Sequence, residues 1–363
     1  MLIIFNNQQF SSPLEIIKCF HLSKVKDCFA KMEKALASGH HLAGFLSYEA
    51  GYAFEKTFAD NKTYDFPLVC FGVFKNPHPL PPLHFSTPSM ISPLIRGRCP
   101  SEARTEGVSY YKALKKIKKL LAAGDTYQVN YTFKQKYFFN GDPFSLFTNL
   151  LTNQPTPCSA FVQTDDFSIL SLSPELFFKK AKDKIIVKPM KGTFLPGKEI
   201  VDNKNRSENL MIVDLLRNDL GRIAKTGTVK VNKLFEIEKH PTLSQMTSTI
   251  EAKTRKDLSL YELFKNLFPS GSVTGAPKVR TMQIIRELEK EPRRIYCGTI
   301  GYITPQRDML FNVAIRTLLI RSSHSKLRTP NSELGIGSGV TYASDPKKEY
   351  EECLLKSKFL RGA

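Results

Sequence analysis

Six prolines between residues 77 and 93 (Pro77, Pro79, Pro81, Pro82, Pro88 and Pro93) constrain the chain more than any other feature. Each lacks a backbone N–H and fixes φ, so this stretch can form neither a helix nor a central strand. It could serve a proline-recognition domain, but a surface connector explains it more simply. The chain therefore divides into an N-terminal segment, 1–76, packed with the rest, a connector, 77–105, and a main region, 106–363. At 363 residues it is long for one domain of roughly 100–200 residues, and no low-complexity tract divides it further. One large unit, or two intimately packed halves, is the expectation.

Hydrophobic residues make up 41% and charged residues 24%, enough to bury a sizeable core. No run of eighteen apolar residues occurs, and the opening MLIIFNNQQF lacks the basic, apolar and cleavage regions of a signal peptide. A cytoplasmic protein with no membrane segment is expected. The seven cysteines are dispersed without a C-x-x-C pair, which signals neither a zinc site nor a disulfide framework.

A formal net charge of +19 raises nucleic-acid binding as a rival function, a basic binding protein rather than an enzyme. Against it, Lys115, Lys116, Lys118 and Lys119 alternate with Leu114, Ile117 and Leu120 at helical spacing. That pattern is a solvated helix face, and no nucleic-acid partner is expected.

Helical and strand patterns alternate beyond residue 106. Helices are expected near 108–123, 206–221 and 276–290 and from Pro346. Strands are expected near 127–138, 159–172, 184–189, 296–303 and 309–319. In the last helix Asp345 can cap, Pro346 suits the first turn, and Glu349, Glu352 and Lys356 share a face. Glu208 opens the apolar run LMIVDLLRNDL. Two carboxylates from separate helices could hold a magnesium ion with water and a substrate oxyanion, but solvated charges and a dipole-stabilising residue are equally open readings. Gly335, Gly337 and Gly339 offer amides to an anion, with a tight turn as the default. Glu175 and Lys191 are isolated charges at apolar strand ends.

Eight segments carry a more specific signal together: GDTYQVNYTF (124–133), SLSPELFF (171–178), PMKGT (189–193), SENLMIVDLLRNDLGRIA (207–224), LFPSGSVTGAPKVRTMQII (267–285), YCGTIGYI (296–303), NVAIRTL (312–318) and GSGVTYASDPKKEYEECLLKSK (337–358). Their order resembles that of the chorismate-utilising enzymes, a family that includes anthranilate synthases, aminodeoxychorismate synthases, and isochorismate and salicylate synthases. The resemblance spans roughly 40–363. It implies an α+β fold of two subdomains, with antiparallel sheets packed as a sandwich and helices outside.

The resemblance also implies roles. Glu208 and Glu352 would be direct ligands of Mg2+, with Glu349 behind them, and the ion would hold the ring carboxylate of chorismate. Tyr296, Arg316, Gly337, Gly339 and Lys356 would bind the substrate carboxylates, with Gly192, Thr193 and Thr274 lining the ring. A planar guanidinium such as Arg316 suits bidentate carboxylate binding. Where isochorismate and salicylate synthases carry a water-activating lysine, this chain has Gln128, an amide without useful basicity. Where anthranilate synthases carry alanine, it has Lys191, the aminodeoxychorismate synthase pattern, sixteen residues after Glu175. Gln245 replaces a histidine of the anthranilate synthases, which places the protonation on Glu175.

In the implied mechanism Lys191 attacks ring C2 and directs ammonia to C4, while Glu175 protonates the departing hydroxyl. A free lysine of pKa near 10.4 is almost wholly charged at neutral pH, so the site is expected to lower that value. Glu175 is expected to be held protonated by burial. No tryptophan-pocket segment, glutaminase domain or lyase domain is recognisable, so a separate glutaminase should supply ammonia and a separate lyase should act downstream. Anthranilate synthase component I is the alternative within the family.

Overall fold

The structure, a computed structural model, describes residues 1–79, 95–96, 100–194, 203–239, 244–322 and 330–362. The prolines at 81, 82, 88 and 93 lie outside the described residues. Seven α-helices are described: α1 (Val25–Ala37), α2 (Pro100–Ala122), α3 (Pro143–Asn153), α4 (Asn203–Gly221), α5 (Leu260–Leu267), α6 (Lys278–Leu288) and α7 (Pro346–Lys356). Helix α2 starts at Pro100, inside the stretch read as connector, because proline is tolerated in a first helical turn.

Among the described residues two ten-stranded antiparallel sheets form the centre, each a path of nine strands with one more beside it: Ile95–Arg96 against Gln128–Phe139 in the first and Lys230–Lys239 against Ser244–Lys253 in the second. The first runs Gly275–Ala276, Gln128–Phe139, Ser332–Val340, Thr317–Arg321, Phe167–Ser171, Ala160–Gln163, Leu2–Phe5, Gln8–Ser11 and His78–Pro79. The second runs Met190–Phe194, Ser244–Lys253, Lys184–Lys188, Leu176–Ala181, Met309–Asn312, Thr299–Ile303, His41–Leu46, Val69–Phe74 and Glu15–Cys19. The N-terminal segment thus extends both sheets.

Alternation along the strands explains the layering. Ile3, Phe5, Val162 and Ile169 of the first sheet meet Phe45, Cys70, Phe74 and Ile300 of the second in one buried cluster. Ile4, Phe161 and Leu170 point the other way, where Phe147 and Leu150 of α3 cover them. Helices α2, α6 and α7 also pack on the first sheet, and α1 and α4 on the second. Strand Val69–Phe74 is consequently buried on both faces.

Local chemistry sets the helix ends. Asp345 accepts the Lys348 amide at 2.9 Å with Pro346 in the first turn, as its sequence indicates. Ser259 and Glu262 form a capping box on α5. In α2, Leu114 and Ile117 are buried while Lys115, Lys116 and Lys119 face solvent. Two sequence expectations change. The stretch 159–172 is two strands reversing after Gln163, and 309–319 is two strands in different sheets.

One buried cluster ties these layers together. The Arg293 guanidinium, 2% exposed, pairs with Glu289 and donates to Val273 O at 2.8 Å and Asn130 O at 2.6 Å. Glu289 also accepts from Thr132 N and Oγ1. Glu49 of the N-terminal segment accepts the Arg293 and Arg294 amides at 2.6 and 3.0 Å, and Arg293 lies 4.3 Å from the Tyr48 ring centroid. Arg293→Met removes the charge while keeping bulk and strands Glu289 in the interior. We expect it to cost about 3–5 kcal/mol in urea unfolding, whereas Lys24→Ala, which breaks an exposed ion pair, should cost under about 1 kcal/mol.

Candidate active site

Two chain segments pass between the sheets side by side. Residues 172–175 leave the first sheet for the second, and 313–316 return from the second to the first. Leu172 N donates to Arg316 O at 3.0 Å, Val313 N to Glu175 O at 3.0 Å, and Ser173 Oγ to Val313 O at 2.6 Å. Residues 297–298 are stitched alongside by Cys297 N to Ala314 O and Ala314 N to Gly298 O, both 2.9 Å. This seam carries Glu175, Arg316 and, next to Cys297, Tyr296.

Arg316 adopts φ 49°, a conformation costing a bulky residue roughly 1–3 kcal/mol. Its half-buried guanidinium makes no hydrogen bond or ion pair among the described residues. Burial draws its pKa below the ordinary value. A strained, desolvated, unpaired cation is well suited to a ligand carboxylate.

Gly192 (φ 77°) forms a bulge between Lys191, opposite Met246, and Thr193, opposite Gln245. The Thr193 side chain lies outside the described residues. Across the cleft, Gly335, Gly337 and Gly339 lie mid-strand, opposite Lys134, Thr132 and Asn130, and are not the tight turn their spacing suggests. Because strand side chains alternate, these three leave one face of the strand bare. A Cβ on Gly335 would strike the Tyr296 ring at 2.1 Å. On Gly339 it would lie 2.7 Å from Gln128 Nε2 and 3.4 Å from Lys191 Nζ. Lys191, Gln128 and Gly339 therefore converge. Gln128 is fully buried, and neither its Oε1 nor its Nε2 has a partner, as is also true of Gln245 Nε2.

Glu175 is 5% exposed. Burial pushes its carboxyl up to about 7, while a Ser272 hydrogen bond and the Lys191 charge pull it back. The carboxyl can thus hold a proton near neutrality beside an amine. Thr274, also fully buried, donates to Ser270 O at 3.0 Å and so secures its own turn. Ser272 had no distinguishing signal within LFPSGSVTGAP. Only the fold brings it to Glu175.

The carboxylates proposed for metal are distributed differently. Glu208 is the sixth residue of α4 and not at its N-terminus, because the helix begins at Asn203. Glu349 is buried and accepts the Ser344 hydroxyl at 2.8 Å. Glu352, with its side chain 52% exposed, pairs with Lys356 at 2.9 Å, and Lys356 also donates to Gly337 O at 2.9 Å. No group of three or more His, Cys, Asp or Glu side chains converges among the described residues. The available donors are all hard carboxylate oxygens, which fits Mg2+ held by one or two carboxylates plus water and substrate.

The raised carboxyl of Glu175 has a stability signature. Its folded form holds a proton that the unfolded chain, near 4.5, has released, so stability present at low pH is lost as pH rises through about 7. Glu49, also pushed to about 7 by burial, acts in the same window. Glu175→Gln should therefore reduce, without abolishing, the fall in unfolding free energy between pH 5 and 8, by up to about 3 kcal/mol. Urea titrations at several pH values read this out.

Known proteins place these features in a family. The chorismate binding enzyme family matches residues 92–362. The chain is 35% identical over 259 residues to aminodeoxychorismate synthase component 1 of Bacillus subtilis, covering 68% of this chain and 54% of the relative. It is 38% identical to the Escherichia coli protein of that name (68% and 55% covered) and 35% identical to anthranilate synthase component 1 of Aquifex aeolicus (69% and 51%). The chain thus spans about half the length of the curated relatives it matches. Anthranilate synthase component I of Streptococcus pneumoniae superposes with a TM-score of 0.80 at 22% identity, covering 99% of this chain and 92% of that one, which supports the shared fold. From the matched segment and these relatives, the chain belongs to the chorismate binding enzyme family.

Proposed function

We propose that the chain aminates chorismate at C4 with ammonia in a Mg2+-dependent reaction, giving 4-amino-4-deoxychorismate. The observation that carries this reading is the meeting of Lys191 Nζ with Gly339 and the buried, unpartnered amide of Gln128. A lysine reaches the cleft where an amine nucleophile is required, while the residue opposite is no base for water. Both kinds of component 1 relative match at similar identity, so the identity of residue 191 separates the two amination outcomes.

Arg316 and the bare glycine face would seat the substrate carboxylates, with Tyr296 beside them. Glu208 and Glu352 would hold Mg2+, with Glu349 behind them. When bound, the ion supplies positive charge against the ring carboxylate. The Lys191 amine attacks C2, the ring double bonds shift, and the C4–O bond breaks as Glu175 gives its proton to form water. Ammonia then adds at C4, the C2–N bond breaks, Lys191 leaves as an amine, and Glu175 recovers a proton from the added ammonia. The balance is chorismate plus ammonia to aminodeoxychorismate plus water. A separate glutaminase would deliver ammonia, and a lyase would release 4-aminobenzoate toward folate in the cytoplasm.

Lys191→Ala is the deciding substitution. With chorismate, Mg2+ and ammonium salt, we expect the variant to lose the covalent adduct on the Pro189–Thr193 peptide and to shift toward products aminated at C2. Unchanged rate and product, seen by chromatography and mass spectrometry, would refute the role of the lysine. Glu208→Gln and Glu352→Gln should each lower turnover at least a hundredfold while leaving the unfolding midpoint near wild type. Full turnover of either variant in chelator would remove the metal from the scheme.

A further inference from the structure

A cavity of about 220 Å³ opens between the end of α6 and the 49–64 segment, sharing no residue with the Lys191 cluster. It is smaller than the roughly 300–1,000 Å³ of sites for drug-sized ligands, so it suits a single-ring molecule. Tyr52 and Tyr64, each 6% exposed overall, line it. Its charges do not balance. Arg286 is answered by Asp60 at 2.7 Å, Arg293 by Glu289 at 2.7 Å, and Glu291 by Lys136 at 2.8 Å.

Lys62 and Lys290 are left exposed at the cavity with no carboxylate partner among the described residues. Lys62 lies 5.5 Å from the Tyr64 ring centroid. Glu49 is the remaining acid, and its oxygens already accept two backbone amides. The recess therefore presents the small exposed parts of two tyrosines, with Arg286 5.1 Å from the Tyr52 ring centroid, together with two ammonium groups that lack a carboxylate partner among the described residues.

We propose that this cavity binds a small aromatic carboxylate, its ring against Tyr52 and Tyr64 and its carboxylate between Lys62 and Lys290. Ring contact supplies dispersion and quadrupole attraction, and the two ammonium groups supply charge-assisted hydrogen bonds. The site stands apart from the amination chemistry, so its test needs no turnover.

The test is calorimetric titration of the full chain with benzoate, benzamide, cyclohexanecarboxylate and inorganic phosphate. Benzoate should bind saturably with a dissociation constant on the order of 1 mM. Benzamide and cyclohexanecarboxylate should each bind several-fold more weakly, and phosphate should not compete. The Lys62→Ala/Lys290→Ala double variant, altered only at exposed positions, should bind benzoate at least tenfold more weakly. Because the lysines lie outside the seam, any benzoate held by Arg316 would persist in both proteins, and the difference isolates this cavity. Equal affinity in wild type and double variant, absence of saturation by tens of millimolar, or phosphate binding as tightly as benzoate would overturn the assignment.

Discussion

The Arg293 guanidinium binds a strand, a turn and a helix end at once. It takes a carbonyl from the long strand Gln128–Phe139, a carbonyl from the turn before Thr274 and a carboxylate from the end of α6, while the amide of its own residue is fixed by Glu49. An ion pair this deeply buried brings little net stability by itself, since desolvation offsets the attraction. Its value lies in directionality. The donors of one planar group must all be satisfied, and that condition sets the strand, the turn and the helix in one relative position. Gln128 and Thr274, both flanking the cleft, inherit that position.

The seam between the sheets follows a similar logic. A side chain at the end of an ordinary strand can be shifted by small hinge motions, but Glu175 and Arg316 sit on segments that cross between sheets and hydrogen-bond to one another. Moving one without the other would break backbone bonds in a buried region. The unusual dihedral at Arg316 persists because both flanking strands are anchored in different sheets. Rigid placement of an acid and a cation is what electrostatic preorganisation needs.

Much of this was readable from the chain alone. Asp345 and Pro346 announce the start of α7 because capping chemistry is local. The helices α4 and α6 follow from apolar periodicity, and the ordered segments indicate the fold. What stayed hidden was nonlocal. Nothing in NVAIRTL reveals that the chain changes sheets there, since each half reads as a strand. G-I-G-S-G reads as a turn because glycine weakens a strand, and only its pairing with Gln128–Phe139 shows why a bare strand face is kept. Glu49, Arg293 and Ser272 carry no spacing signal, and their importance appears only once distant segments meet.

That bare face also bears on how the chain reaches its fold. Strand Ser332–Val340 lies between Gln128–Phe139 and Thr317–Arg321, so the first sheet cannot be joined there until that late strand has been made. At ribosomal speeds of about 5–20 residues per second, the roughly two hundred residues in between mean that the edge of Gln128–Phe139 waits about 10–40 s for this neighbour. Glycine-rich strands fix their register weakly, so correct closure depends on the opposite face, where Leu334, Ile336 and Val340 enter the core. The openness that serves the cleft thus leaves three aliphatic side chains to guard against a late slip in pairing and the aggregation that an unpaired edge invites.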